Sequence, residues 1–370
     1  MWLWLPIGIL CDPAWQIRNK LFKNRGFVFG LLISVTFIGL FYFTVDLGEM
    51  KAALIQTDYR FLAPGIALYF VSVGFRAIRW QYILAPLRRI SVLQLYSVVV
   101  VGYMANNLLP MRLGEVVRAY YLSKKTPINT SSALATIGLE RIYDGLVLVL
   151  FAVTSLLLLT VSNITEGVGA VTVWTLSVMA IVSASIFLGM IILFTLIVVR
   201  PSLSSILYKI IDYFPWQVRQ KIKDFVGQFI YGLQRLKSPK NQLKLLLLSL
   251  PVWIFEGGMY LVLAYSFDIP GHFAPHILII PVILMVTAAS NLITAVPASP
   301  GAVGPFEFFA KESLLLVGIQ SGIAGAYAIS LHVALLLPVT FVGLCILWIG
   351  PGSFSNLTKG AKDQMSSRSG

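Results

Sequence analysis

The residues able to do chemistry in this 370-residue chain are few, and they stand inside apolar sequence. In NNLLPMRLGE, Asn106 and Asn107 offer amides, Arg112 a guanidinium and Glu115 a carboxylate, with Arg118 close behind. Pro110 removes a backbone donor and ends the helix before it, and Gly114 relieves crowding. A short helix starting near Met111 or Arg112 would then aim unpaired amides at the same place as the arginine, an arrangement suited to phosphate. Arg112 can equally close on Glu115, three residues on, as a structural clasp. ATIGLERIYDGL sets Glu140 and Asp144 one turn apart with Arg141 beside them. Charge inside a bilayer is costly, so this cluster either braces Arg112 or Arg118 or turns Arg141 toward a substrate. NLITAVPASPGAVGPFE carries Asn291 and Glu307 around Pro297, Pro300, Gly301, Gly304 and Pro305, either as a second polar break or as a rigid external turn. Glu256 and His332 are candidates for ion coupling. Glu256 has no local partner and needs a proton or a distant cation, while His332 is a hydrogen-bonded filler or a proton relay. Arg76 and Arg79, on one helical face, are expected to snorkel to a cytoplasmic helix end.

Those residues need elements to hold them, and composition says what kind. Hydrophobic residues make up 58% and charged residues 12%, with a mean hydropathy of +0.84, too little polar surface to coat a water-soluble globule of this length. Several apolar runs reach the roughly 20 residues a helix needs to span hydrocarbon, and no alternating strand pattern competes. The expected fold is an all-α integral membrane protein, a polytopic helical bundle. Its net charge of +13 lies mainly between the apolar runs, where it sets topology and meets anionic inner-leaflet lipid, so no nucleic-acid partner is expected. Cys11 and Cys345 make neither a disulfide framework nor a metal site. No catalytic signature and no metal or other cofactor site stands out; His272 and His276 are separated by Pro275, which spoils a helical metal pair.

Basic residues order the runs. Residues 1–26 read as a cytoplasmic or interfacial segment with no cleavable signal, followed by a first membrane repeat over 27–160 that holds a hairpin, 92–122, entered from the cytoplasm. A second repeat over 171–350 holds a hairpin, 276–318, entered from outside. Between its crossings, 200–244 carries nine basic and two acidic residues. There Val218, Ile222, Phe225, Val226, Phe229, Ile230 and Leu233 form one helical face, which lies on the inner leaflet or packs under the bundle. The tail, 351–370, is cytoplasmic. Six crossings result, with both termini inside. Each half has two crossings, an apolar run ending in Asn-Leu and a Pro/Gly break, then another crossing, in opposite orientation. This is an inverted-topology repeat with two re-entrant hairpins, whose interrupted helices would meet around a polar site.

With NNLLPMRLGEVVRAYYLSKK, ALATIGLERIYDGL and NLITAVPASPGAVGPFEFFAKESLLLVGI in place, the chain resembles the flippase-like membrane family related to the transmembrane part of lysylphosphatidylglycerol synthases. The likeness spans most of residues 20 to 350. It implies a lipid-handling protein: in fused relatives the membrane part moves an aminoacylated phospholipid between leaflets, and others are linked to glycolipid or hopanoid pathways. The sequence ends at Gly370 with no soluble synthase domain, so neither aminoacyl transfer nor that particular lipid is expected to carry over. The expected function is a non-enzymatic lipid translocase in a prokaryotic cytoplasmic membrane. It would take an anionic phospholipid or polyprenyl-phosphate-linked lipid by its phosphate headgroup at Asn106, Asn107, Arg112, Glu115, Arg118, Glu140, Arg141, Asp144, Asn291 and Glu307, alone, as a homo-oligomer or with a synthase partner. The alternatives are a membrane-embedded lipid-binding transferase or accessory subunit, and a small-solute or ion carrier.

Overall fold

The computed structural model of the protein describes residues 25–110, 112–162, 170–213, 215–295 and 299–349. The expectations for the amino-terminal segment with Cys11, for Met111, the 163–169 turn and Pro297, and for the tail fall outside the described residues, as does the Val218 side chain. The described residues are helical, and five helices among them are long and apolar enough to cross a membrane, or six if one bent pair counts as a span. The protein is a multi-pass helical membrane protein.

The bent pair is α1 (Arg25–Thr44) and α2 (Leu47–Gln56), which meet at 86°. Asp46 caps α2 by accepting from the Glu49 amide at 2.9 Å, so the chain turns and restarts a helix in three residues. The buried Lys311 ammonium reaches Thr44 at this corner.

Helix α3 (Leu62–Leu84) lies along α10 (Pro239–Ser266), which supplies the centre of the bundle. Small residues let the two close: Gly65 faces Leu263, Gly258 faces Leu68, and Ser72 donates to the Val252 carbonyl at 2.8 Å. Phe75 stacks on Phe255 at 5.2 Å.

Two helix–break–helix units follow the same plan. In the first, α4 (Val92–Leu108), started by a Ser91 cap, packs against the shorter α5 (Gly114–Lys125). In the second, α11 (Ile279–Ile293) packs against α12 (Pro305–Leu315). Counted from His276, α11 is itself long enough to cross a bilayer, so length alone does not require it to turn back. Helix α6 (Thr130–Val161) packs on α11, where Ser155 donates to the Pro281 carbonyl at 2.6 Å. Helix α13 (Ser321–Ile349) packs on α4, with Gly343 against Met104.

Helix α7 (Ala170–Val199) leads to α8 (Pro201–Ile211) and α9 (Trp216–Gly232). Helix α9 packs on α6. Gly232 sits against the Ser132 carbonyl, Leu233 is buried, and Phe229 meets Phe194 edge-on, while Phe225 is left exposed. A hydrogen bond from Lys223 at 2.6 Å holds the Asp212 carboxyl below the usual carboxylate range, tying α8 to α9.

Candidate functional site

The two breaks meet. Arg112 donates to the Thr294 carbonyl at 3.0 Å, joining the end of α4 to the end of α11. Asn107 reaches α13, donating to the Leu336 carbonyl at 3.2 Å and to Thr340 at 2.9 Å. Between the breaks lies a cavity of about 240 Å³. Of the sequence candidates, Asn106, Asn107, Arg112, Arg141, Asp144, Asn291, Glu256 and His332 line it.

The first break differs in one respect from the expected geometry. Helix α5 begins at Gly114, two residues later than anticipated, because Arg112 takes a left-handed conformation with φ of 56°. That conformation costs a non-glycine residue about 1–2 kcal/mol. It lets the chain reverse sharply enough for Gly114 to press on α4, where a Cβ would stand 2.3 Å from the Gly102 carbonyl and 2.4 Å from Asn106 atoms. No side chain caps α5; the Leu113 and Glu115 amides turn back onto the Pro110 and Arg112 carbonyls at 3.3 and 3.1 Å.

Charge is arranged in two layers. Deep in the bundle, Arg79 is fully buried and bonds Asp144 at 2.7 Å and Ser249 at 2.8 Å, with Glu140 at 3.8 Å. Arg118 lies over the Trp80 ring at 3.7 Å and pairs with Glu140 at 2.7 Å. Arg118 and Glu140, proposed as ligand-binding from sequence, therefore brace the wall behind the cavity. The expected snorkelling of Arg76 and Arg79 is corrected here: both point inward. Arg76 pairs with Glu256 at 2.5 Å and with Asp144 at 3.4 Å, and its guanidinium sits over Trp253. The cation that Glu256 needed is this arginine, 180 residues away in sequence. Dehydrating such charges is tolerated only because each has partners, and removing one costs about 3–5 kcal/mol.

Nearer the opening the pairing loosens. Glu115 does not line the cavity; it stands between Arg112 at 3.4 Å and Arg141 at 3.6 Å, so the clasp forms but is shared. Arg141 also approaches Asp144 at 3.6 Å. Both arginines keep partial exposure, 32% for Arg112 and 26% for Arg141. Lining the cavity, three guanidiniums face two carboxylates, leaving a positive excess. The Tyr103 hydroxyl and Asn106 carbonyl oxygen, on two lining residues, have no protein hydrogen-bond partner. Such a site can take a phosphate by charge-assisted bonds from Arg112 and Arg141.

Sequence reasoning missed the aromatic lining: Tyr69, Tyr103, Phe187, Trp253 and Phe306. Tyrosines and a tryptophan within otherwise aliphatic runs were the available signal. Asn291 donates to the Tyr260 hydroxyl at 2.8 Å, which holds the end of α11. Glu307 also stands back from the cavity. It accepts from the Gly304 amide at 2.8 Å, capping α12, and contacts His332 at 2.6 Å. His272 and His276 each bond a backbone carbonyl, of Asp268 and Pro270, rather than sharing a ligand.

Comparison with known proteins places these features. The chain is 25% identical over 362 residues to the glycosyltransferase AglD of Haloferax volcanii, covering 89% of this chain and 55% of that protein, so it spans about half of that relative's length. A UPF0104 membrane protein of Methanocaldococcus jannaschii is 27% identical over 227 residues, 60% of this chain and 83% of the relative. Another, from Pyrococcus horikoshii, is 23% identical over 313 residues, 80% and 88%. No solved structure matches the chain. Residues 27–343, which include both breaks and the charged wall between them, match the lysylphosphatidylglycerol synthase transmembrane region, and the chain belongs to that family.

Proposed function

We propose that this protein is a lipid translocase that carries an anionic phospholipid or a polyprenyl-phosphate-linked lipid between leaflets, its phosphate held between the two breaks while its tails stay in the bilayer. In this reading the halves 27–160 and 171–350 form an inverted repeat, the units around the breaks are re-entrant hairpins, and both termini face the cytoplasm of a prokaryote. Rocking of one half against the other exposes the cavity to each leaflet in turn. The observation that carries the reading is the bond from Arg112 to the Thr294 carbonyl, which brings the cation of one break into the backbone of the other across a cavity that Arg141 also lines.

The test is leaflet exchange in liposomes, read as dithionite quenching of a fluorescent phospholipid. Arg112→Ala and Arg141→Ala each remove charge-assisted bonds of roughly 1.5–3 kcal/mol and should slow exchange about tenfold or more. Exchange unaltered by both substitutions overturns the proposal. Uptake of a soluble solute with no lipid exchange would replace it with a carrier. A second reading has its own support in the match to the glycosyltransferase: a membrane-embedded unit that binds a lipid for glycan transfer without moving it. It requires arginine-dependent lipid binding and no leaflet exchange in the wild type.

A further inference from the structure

A count of donors and acceptors in the second break leads beyond lipid binding. His332 lies buried in α13, its ring stacked on Phe306 with centroids 4.2 Å apart. Its Nε2 is 3.0 Å from the Gly301 carbonyl, and its Nδ1 is 2.6 Å from Glu307 Oε1. A carbonyl only accepts, so Nε2 must carry a hydrogen. A hydrogen must also lie between Nδ1 and Oε1, because two lone pairs would otherwise face each other at 2.6 Å. It sits on nitrogen, giving imidazolium and carboxylate, or on oxygen, giving neutral imidazole and carboxylic acid. In both cases the pair holds one proton more than a neutral histidine with an ionised glutamate. The other oxygen of Glu307 is already used, accepting from the Gly304 amide at 2.8 Å.

That proton is tied to backbone geometry. Gly301, Ala302 and Gly304, in the turn between α11 and α12, all have positive φ, of 67°, 58° and 99°; glycine accepts this freely, while Ala302 does so at a cost that its surroundings must offset. One side of the turn is anchored to α1, where the Ser299 amide donates to Ser34 at 3.0 Å. The His332 and Glu307 bonds anchor the rest. Loss of the proton removes one of the two histidine bonds, to Gly301 or to Glu307, and frees the turn.

The surrounding charges do not neutralise Glu307. Arg76 of α3 pairs with Glu256 and Asp144, Arg112 with Glu115, and Arg141 of α6 with Glu115 and Asp144. On α12 itself, Lys311 pairs with Glu312. Other titratable groups on the packed elements include Tyr42 of α1, Glu49 and Lys51 of α2, Tyr69 of α3, Tyr96 and Tyr103 of α4, Tyr260 and Tyr265 of α10 and Tyr327 of α13. None of them bonds His332 or Glu307 among the described residues.

The geometry points to the His332–Glu307 pair as a proton-binding site whose occupancy locks the second break, making the protein's cycle proton-linked. The site itself is independent of lipid transfer; its coupling to transfer rests on the function proposed above. Glu307→Gln is the discriminating variant. A glutamine amide donates to Nδ1 of a neutral His332, its oxygen accepts from Gly304, and Nε2 still donates to Gly301. All three bonds survive without the extra proton.

The measurement uses the full chain in liposomes with Cys11 and Cys345 replaced by serine and a single Val303→Cys reporter, labelled by a water-soluble maleimide. Rates are normalised at each pH to the same protein unfolded in detergent. As pH is raised in steps, labelling should rise about tenfold when the pair empties. With Glu307→Gln it should stay slow and flat, and with His332→Ala fast throughout. A flat wild-type profile, or a Glu307→Gln profile that keeps the wild-type rise, overturns the inference even if His332→Ala fails to fold. Leaflet exchange measured in the same vesicles should depend on pH in the wild type and not in Glu307→Gln. Labelling that switches with pH while no lipid moves at any pH leaves the proton site standing and overturns the lipid reading.

Discussion

The two breaks meet at one cavity yet are finished in opposite ways. At the first, α5 starts with no side-chain cap, and a left-handed Arg112 shares its carboxylate with Arg141 over distances of 3.4 and 3.6 Å. At the second, α12 starts with Pro305, Glu307 caps the Gly304 amide, and His332 bonds both the cap and the turn. Beside the first, the Tyr103 hydroxyl and the Asn106 carbonyl oxygen have no protein partner, whereas the second pairs Glu307 and His332 with its own backbone. Under the function proposed above, the first break is the one suited to an anion, while the second is held by bonds among its own residues. Two helix breaks need not share their chemistry, because each sets its own balance of satisfied and unsatisfied polar groups.

The largest effects should come from substituting the glycines on which each turn depends. Gly304→Ala forces a Cβ to 2.7 Å from the Ser34 carbonyl at a φ of 99°, so overpacking and backbone strain add. About 2–5 kcal/mol of stability should be lost. Gly114→Ala meets the Gly102 carbonyl without the φ penalty and should lose about 1–3 kcal/mol. Steric-trap unfolding in bicelles measures both, and an equal loss at the two sites would erase the distinction between a strained turn and a merely crowded one.

The two glutamates sharpen the comparison at smaller amplitude. Glu307→Ala exposes the Gly304 amide and leaves His332 without its acceptor, a loss of about 1–3 kcal/mol by the cost of unpairing buried groups. Glu115→Ala removes only long, partly exposed ion pairs and should change stability by less than about 1 kcal/mol. It should also tighten binding of an anionic headgroup severalfold, since Arg112 and Arg141 lose their competitor; isothermal titration with a short-chain phosphatidyl lipid reads this. Weaker binding after Glu115→Ala would show that the carboxylate positions the arginines rather than competing for them.

Both breaks were legible in the sequence because proline, glycine and paired amides inside an apolar run leave a local signature. So was the shared clasp of Arg112 with Glu115, which lies within one helical turn. The destination of Arg76 was not. Snorkelling and inward pairing give the same pattern on the helix itself, and its partner Glu256 lies 180 residues away on α10. For Arg118 and Glu140 the sequence allowed both a brace and a binding role, and only the packed structure shows them paired with each other and outside the cavity lining. The aromatic lining was hidden by its own hydrophobicity, since a tyrosine in a membrane run counts toward spanning as well as toward a site.

The smallest effect tests whether the breaks act on each other through α13. Asn107 is the side chain by which the first break holds the helix that carries His332, through bonds to the Leu336 carbonyl and Thr340. Thr340 also donates to the Leu336 carbonyl at 2.6 Å, so that acceptor remains satisfied when Asn107 is lost. Asn107→Ala should therefore cost only about 0.5–1.5 kcal/mol. If α13 transmits between the breaks, the same substitution shifts the pH midpoint of the Val303→Cys labelling without changing its amplitude. An unmoved midpoint would mean that the two breaks share a cavity and little else, each responding to its own ligand.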